Sequence, residues 1–144
     1  MKPYLLVFVL LTLLAGCSSL PSLMSVNKQR VDLQNSSISP AAQGKVTINT
    51  DRNDNVNISL KVEHLAPPEN LEPPRLAYVV WAQTPDGKNF NLGQLQVNTD
   101  REAELYTTTS LQNFRLIVTA EKQSTTETPS DEVVLASQLL NLGK

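Results

Sequence analysis

The sequence has little of the chemistry on which most enzymes and metalloproteins depend. Its 144 residues include one cysteine, one histidine and only 5% aromatic side chains. A lone cysteine cannot form an internal disulfide, and together with one histidine it is too small a ligand set for a zinc or copper site. HExxH, GxSxG, CxxC and glycine-rich phosphate-loop motifs are also missing from the sequence. These absences predict a protein without a metal, a cofactor or a catalytic site.

The sequence also lacks a large excess of either charge, since 12 basic and 14 acidic residues give a formal net charge of -2. A nucleic-acid partner would require clustered Lys and Arg to neutralise phosphates, and a polybasic membrane patch would require a similar cluster. We therefore expect neither nucleic acid nor an electrostatic membrane surface as a partner.

Two patterns could still carry chemistry. Ser-His-Asp catalysis would have to use His64, but its even position continues the inward parity of a predicted strand, so we interpret it as a partly buried residue at the strand end. Asp51, Asn53 and Asn55 have the spacing of a calcium loop, although valines stand where that loop requires glycine and glutamate. We predict a hairpin turn there, with a weak calcium site as the alternative.

The N-terminus carries a targeting signal. Lys2 precedes an apolar run from Leu5 to Leu14, which is too short for a membrane-spanning helix of about 20 residues but fits the core of a signal peptide. The run ends in Leu14-Ala15-Gly16-Cys17, which resembles the lipobox of bacterial lipoproteins. The resemblance implies that residues 1–16 are removed and that Cys17 is lipidated. Two or more acyl chains would bind a lipid membrane stably, at about 0.8 kcal/mol per buried methylene.

The residue after the cysteine bears on location. Ser18 follows Cys17, and the resemblance to bacterial lipoproteins implies that, in a Gram-negative envelope, a serine there permits export to the outer membrane. We therefore expect a lipid-anchored protein of the cell envelope, on the periplasmic face of the outer membrane.

The next segment is rich in serine, proline, asparagine and glutamine. Such a composition is typical of a flexible tether, so we predict one over residues 17–43. An alternative stays open, because residues 26–33 contain Val31 and Leu33 and could begin a strand.

From Gly44 the hydrophobic pattern has a period of two, which predicts half-buried strands. Turn-like segments divide it into seven short strands, at about 45–50, 56–63, 76–84, 89–97, 105–109, 114–121 and 132–137. Apolar parity changes at Gly93, where we predict a β-bulge. The expected fold is all-β, a seven-stranded antiparallel immunoglobulin-like β-sandwich over residues 44–137, with a C-terminal tail at 138–144.

Part of this region also resembles a family. The matching segments are Tyr78-Val79-Val80-Trp81, Asp86-Gly87, Leu92-Gly93, Phe114 to Glu121, Pro129 and Val133 to Leu135. In this order they resemble the extracytoplasmic domain of anti-sigma-K-type factors. The resemblance implies an immunoglobulin-like sandwich without catalytic residues. Such factors also carry a sigma-binding domain and a transmembrane helix, which we do not find here, so we do not expect this chain to sequester a sigma factor itself.

Four residues are candidates for partner contact. Tyr78 and Trp81 are three positions apart on a strand, so one should face the core and the other the outside. The outer ring would either anchor a partner or be covered by a loop or the tether. Glu69 and Glu72 lie on a stiff proline-rich loop, residues 66–75, where their carboxylates could also contact a partner.

These observations favour a non-catalytic envelope lipoprotein that acts as a protein-interaction or regulatory module, with another envelope protein as its partner. The alternative is a small-ligand or carbohydrate-binding lipoprotein, which a concave site lined by Trp81 or Tyr106 would favour and a flat surface would not. An envelope hydrolase using His64 is the third hypothesis.

Overall fold

The computed structural model describes residues 28–143, which are all-β apart from one short 3-10 turn at Pro68–Asn70. These residues form nine strands. Their bounds are β1 Lys28–Asn35, β2 Gln43–Thr50, β3 Val56–Glu63, β4 Ala77–Gln83, β5 Asn89–Leu95, β6 Ala103–Thr109, β7 Asn113–Glu121, β8 Val133–Ala136 and β9 Leu140–Asn141.

All strand pairs are antiparallel, and the order in the sheet is β5-β4-β7-β8-β1-β2-β3-β6, with β9 paired to the start of β7. The two outermost strands, β5 and β6, contact each other across the core, so the sheet curves round almost into a barrel. The narrowest connection is between β1 and β8, which pair through two residues of each strand. The chain therefore encloses one main core between the inward faces of its strands.

Strands β2 to β8 correspond to the seven predicted strands, and β1 and β9 are additional. Strand β1 lies within the predicted tether, where it pairs with β2 and buries Val31 and Leu33. The alternative interpretation of residues 26–33 as the start of a strand thus holds from Lys28 onward. Strand β9 lies in the predicted tail, where the nearly buried Leu140 pairs with Phe114. The alternating pattern did not predict these two strands, because each has few apolar residues and these stand among polar ones.

The remaining N-terminal predictions, which are the signal peptide at 1–16, lipidation of Cys17 and a tether over 18–27, lie outside the described residues. Among residues 28–143, no helix has the length and hydropathy needed to cross a bilayer.

A β-bulge interrupts β5 at the predicted place. Val80 of β4 pairs with Gly93 and the next residue, Trp81, pairs with Asn91, so Leu92 is the extra residue. Gly93 has φ +134 and a Cβ built on it would lie 3.2 Å from the Leu105 side chain across the barrel. Glycine is required here both for its backbone angle and for the close approach of β5 to β6.

Replacing this glycine tests the closure of the sheet. We expect Gly93→Ala to lower the free energy of unfolding by about 2–3 kcal/mol, because strain and overpacking add. Gly87→Ala is the matched control, since Gly87 also has a positive φ (+86) but has no atom within 4 Å of the built Cβ. It should cost about 1 kcal/mol. Urea unfolding followed by Trp81 fluorescence measures both, and equal costs would contradict the contact with Leu105.

Candidate functional site

Antiparallel pairing gives the barrel two unlike ends. One end, which we call the turn end, carries three short connections, residues 51–55, 84–88 and 110–112. Strand β1 also begins at this end, at Lys28. The loop end carries the connections that follow β1, β3, β5 and β7: residues 36–42, 64–76, 96–102 and 122–132. Three surface depressions, of about 590, 330 and 490 Å³, all lie at the loop end. These three depressions therefore lie at the end opposite Lys28, where β1 begins.

Tyr78 lies in the main core rather than on the surface. Its side chain has 0% exposure, and its hydroxyl donates a 2.8 Å hydrogen bond to the carbonyl oxygen of Ala66. Ala66 begins the proline loop, which we define as residues 66–76. Tyr78 thus holds this loop on the sheet. The prediction that its ring could contact a partner is wrong, because the ring is buried in the core.

Trp81 lies on the opposite face of β4, as its spacing from Tyr78 predicts, but it is also fully buried. It packs with Val79 and Ile117 in a second, smaller apolar cluster outside the main core. Its indole Nε1 donates to Thr119 Oγ1 at 2.8 Å. The interpretation of Trp81 as an exposed anchor is therefore wrong, and the alternative that this face is covered is the one observed.

The β7–β8 connection, residues 122–132, lies against this outer face. Asn91, the cross-strand neighbour of Trp81, donates from Nδ2 to the carbonyl oxygens of Ser124 and Thr126, both at 3.2 Å. At the base of the same connection, the nearly buried Glu121 accepts hydrogen bonds from Thr119 Oγ1 and Ser130 N. A polar network thus fixes the loop beside Trp81.

The proline loop is fixed at several points along its length. Arg75 N donates to Pro68 O, and Leu76 N donates to Glu121 O at 2.9 Å. The Arg75 guanidinium also forms an ion pair with Glu132 of the neighbouring loop. Leu71 is buried in the main core. The loop is therefore an ordered ridge, as its proline content predicts.

Glu69 and Glu72 are both exposed on this ridge, where the sequence predicts them to be available to a partner. Next to them lies Leu76, whose side chain is 76% exposed. Leu76 was not among the predicted contact residues, because the apolar pattern places it in a buried strand at 76–84. The structure begins β4 one residue later, at Ala77.

A groove of about 490 Å³ runs between Glu69 and Leu76 of the proline loop and residues 94–99 at the end of β5. We call it the Leu76 groove. Its second wall includes Val97. The chain turns tightly after Val97, where Asn98 Oδ1 accepts hydrogen bonds from the backbone N–H groups of Asp100 and Glu102. Both walls are therefore held by hydrogen bonds within the described chain.

The loop end is acidic. Its connections carry seven carboxylates and three basic side chains, whereas the connections of the turn end carry three carboxylates and two basic side chains. One of the three basic groups, Arg75, is neutralised by Glu132. The loop end thus carries an excess of negative charge, to which Glu69 in the Leu76 groove contributes.

His64 is exposed and has φ +57, so the strand ends at Glu63 and the next residue turns outward. The expectation that it is partly buried is wrong, because the left-handed turn breaks the parity of the strand. Arg101 donates to its carbonyl oxygen at 3.3 Å. Within residues 28–143, no three His, Cys, Asp or Glu side chains come together as a metal site would require.

Asp51 lies in a hairpin turn between β2 and β3, as predicted. Its Oδ1 accepts from the backbone N–H groups of Asn53 and Asn55, and Oδ2 accepts from Asn55 Nδ2. The hydrogen bond from the Asn55 side chain, followed by those from the backbone, lowers the pKa of Asp51. The carboxylate thus serves the turn itself.

Tyr106 is 71% exposed on β6, where it alternates with the exposed Glu104 and Thr108 on the outward face of the sheet. Since Trp81 has no exposed surface, neither aromatic ring lines one of the three depressions. None of these three depressions therefore has the lining by Trp81 or Tyr106 that would favour carbohydrate binding.

Tyr78 gives the fold a dependence on alkaline pH. Burial, with a smaller effect of the Glu69 charge, raises the pKa of Tyr78 from 10.0 to about 12. Below pH 10 both the folded and unfolded states keep the phenol proton; between pH 10 and 12 the unfolded state loses it first, so stability falls. We expect Tyr78→Phe to show a shallower loss of stability across this interval than the unsubstituted chain. Tyr106→Phe, at an exposed ring, should leave the slope unchanged, and equal slopes for all three proteins would contradict the burial of the hydroxyl.

Comparison with known proteins gives no family: no protein-family model matches the chain, and no curated protein matches it in sequence.

Proposed function

We propose that this protein is a non-catalytic lipoprotein of the cell envelope that acts as a protein-interaction or regulatory module. In this proposal Cys17 carries the lipid, the protein is held on the periplasmic face of the outer membrane, and the folded domain contacts another envelope protein. The N-terminal sequence supports the anchor through its apolar run and Leu-Ala-Gly-Cys motif.

The observation that carries the interaction role is the proline loop. It is fixed to the sheet by Tyr78, Arg75 and Leu71, yet it presents Glu69, Glu72 and Leu76 to solvent. A surface that is already ordered loses little conformational entropy on binding, which favours specific association. The side chain of Leu76 is 76% exposed and belongs to neither of the two buried apolar clusters. Its exposure beside carboxylates is therefore better explained by a contact with a partner than by packing within the domain.

The finer fold belongs to the same proposal. An immunoglobulin-like β-sandwich would divide the curved sheet into β1-β2-β3-β6 and β5-β4-β7-β8, which meet at the short β1–β8 pairing. The resemblance to the extracytoplasmic domain of anti-sigma-K-type factors supports this division. A regulatory role in envelope signalling would be consistent with that resemblance, although a shared fold alone does not transfer a function.

The experiment is crosslinking in intact cells, followed by purification of the full chain and mass spectrometry. We expect one dominant envelope protein, recovered from the unsubstituted chain and reduced in a Glu69→Ala, Glu72→Ala double variant. Glu127→Ala, at an exposed carboxylate of the β7–β8 connection, is the control. If an abundant, lipidated protein captures no partner, the interaction role is wrong, and screens of sugars and small metabolites would then test the ligand-binding alternative.

A further inference from the structure

The N-terminal segment joins the sheet at the end opposite the Leu76 groove. Eleven residue steps separate Cys17 from Lys28, so this segment spans at most about 40 Å. It joins the sheet at the turn end, where β1 begins beside the end of β2. The eight residues of β1 then run about 26 Å towards the loop end. A lipid on Cys17 would therefore join the domain at the turn end, and the loop end lies at the opposite end of β1.

The Leu76 groove lies at this distal loop end and combines two kinds of recognition. Leu76 offers an exposed apolar side chain, with Val97 on the opposite wall. Glu69 lines the groove, and the connections that form its two walls also carry Glu72, Asp100 and Glu102. The same connections carry two basic residues, Arg75, which is paired with Glu132, and Arg101, so carboxylates are in excess. An apolar contact beside an excess of carboxylates is complementary to a segment that carries an apolar side chain beside Lys or Arg.

The same charges argue against other occupants. Anionic lipid headgroups and nucleic acid would be repelled by the acidic loop end. A second copy of the domain would bring two acidic surfaces together. A basic protein segment is the occupant that charge complementarity favours.

We propose that the Leu76 groove is the docking site of this lipoprotein, and that it binds a segment of another envelope protein that carries an apolar side chain beside Lys or Arg. This inference rests on the proposed function, since it needs a protein partner in the envelope. It adds the binding surface, its place opposite the end at which the N-terminal segment joins the sheet, and the chemistry of the partner segment.

Site-specific photocrosslinking of the full chain in intact cells tests the proposal. A photoreactive residue replaces Gln96 in the groove in one variant and Asp86 at the turn end in the other. We expect a protein adduct from position 96 and none of that partner from position 86. If position 86 alone captures a protein, the docking site is wrong while the interaction role stands. If neither position captures a protein although the chain is lipidated, both proposals fail.

Substitutions then test the chemistry of recognition. We expect Leu76→Asp to lower the position-96 adduct at least about tenfold, as loss of an apolar anchor does at protein interfaces. Leu139→Asp is the matched control, because Leu139 is also an exposed leucine (53%) but lies beyond β8, towards the turn end. Glu69→Lys should reduce the adduct more than Glu69→Gln. Equal yields for the leucine variants, or a higher yield with Glu69→Lys, would overturn a basic partner in this groove. Trp81 fluorescence confirms that each variant is folded.

Discussion

In cells that express Cys17→Ala, the protein is expected in the soluble fraction instead of the membrane fraction. Cys17 is the only cysteine in the chain and therefore the only residue that could carry the proposed lipid. A stable anchor needs two acyl chains or one chain with a second signal, and the described chain carries no net positive charge that could supply the second. Removal of the thiol therefore removes the proposed acyl anchor.

Ser18→Ala is the matched control for this change, because it alters the neighbouring side chain and keeps the thiol. It should stay with the membranes, and its distribution between inner and outer membranes tests the expected location. Fractionation followed by an alkaline carbonate wash distinguishes acylation from weak adsorption. If Cys17→Ala stays in the washed membranes, attachment does not depend on this residue.

The largest expected effect on stability is that of Trp81→Ala. The ring has 0% exposure, packs with Val79 and Ile117, and satisfies Thr119 through its indole N–H. Loss of a buried tryptophan costs about 3–5 kcal/mol, which is a large fraction of the 5–15 kcal/mol that stabilises a typical domain. We expect a clear decrease in the urea midpoint, measured by circular dichroism.

Trp81→Phe separates packing from hydrogen bonding in the same cluster. It keeps an aromatic ring but leaves Thr119 Oγ1 without the indole donor, so it should cost less than the alanine variant. Val79→Ala gives a second estimate of the packing in this cluster. A Trp81→Ala protein as stable as the unsubstituted chain would show that this face is open, as an exposed partner anchor would require.

The sequence predicted the elements that depend on local pattern. Alternation in β3 and β7 marks their buried faces, and the parity change at Gly93 locates the bulge, because both signals lie within a few residues. Strand β1 was harder to predict, since only Val31 and Leu33 are buried and their burial depends on pairing with a strand that follows. The closure of β5 against β6 depends on contacts far apart in the chain and had no local signal.

The candidate site was predicted only in part. Glu69 and Glu72 are exposed as expected, because a proline-rich loop keeps charged side chains at the surface. Spacing correctly placed Tyr78 and Trp81 on opposite faces, but it could not show that the β7–β8 connection lies against the second face. Leu76 could not be identified, since its exposure depends on β4 beginning at Ala77 rather than one residue earlier.

The most direct test of the account is the intact mass of the protein extracted from cell membranes, with fragmentation of its N-terminal peptide. The proposed location in the envelope depends on a lipid at residue 17. We expect a chain that begins at Cys17 and carries acyl chains on that residue. A chain that still contains residues 1–16, or one that begins at Cys17 without acyl chains, would contradict it.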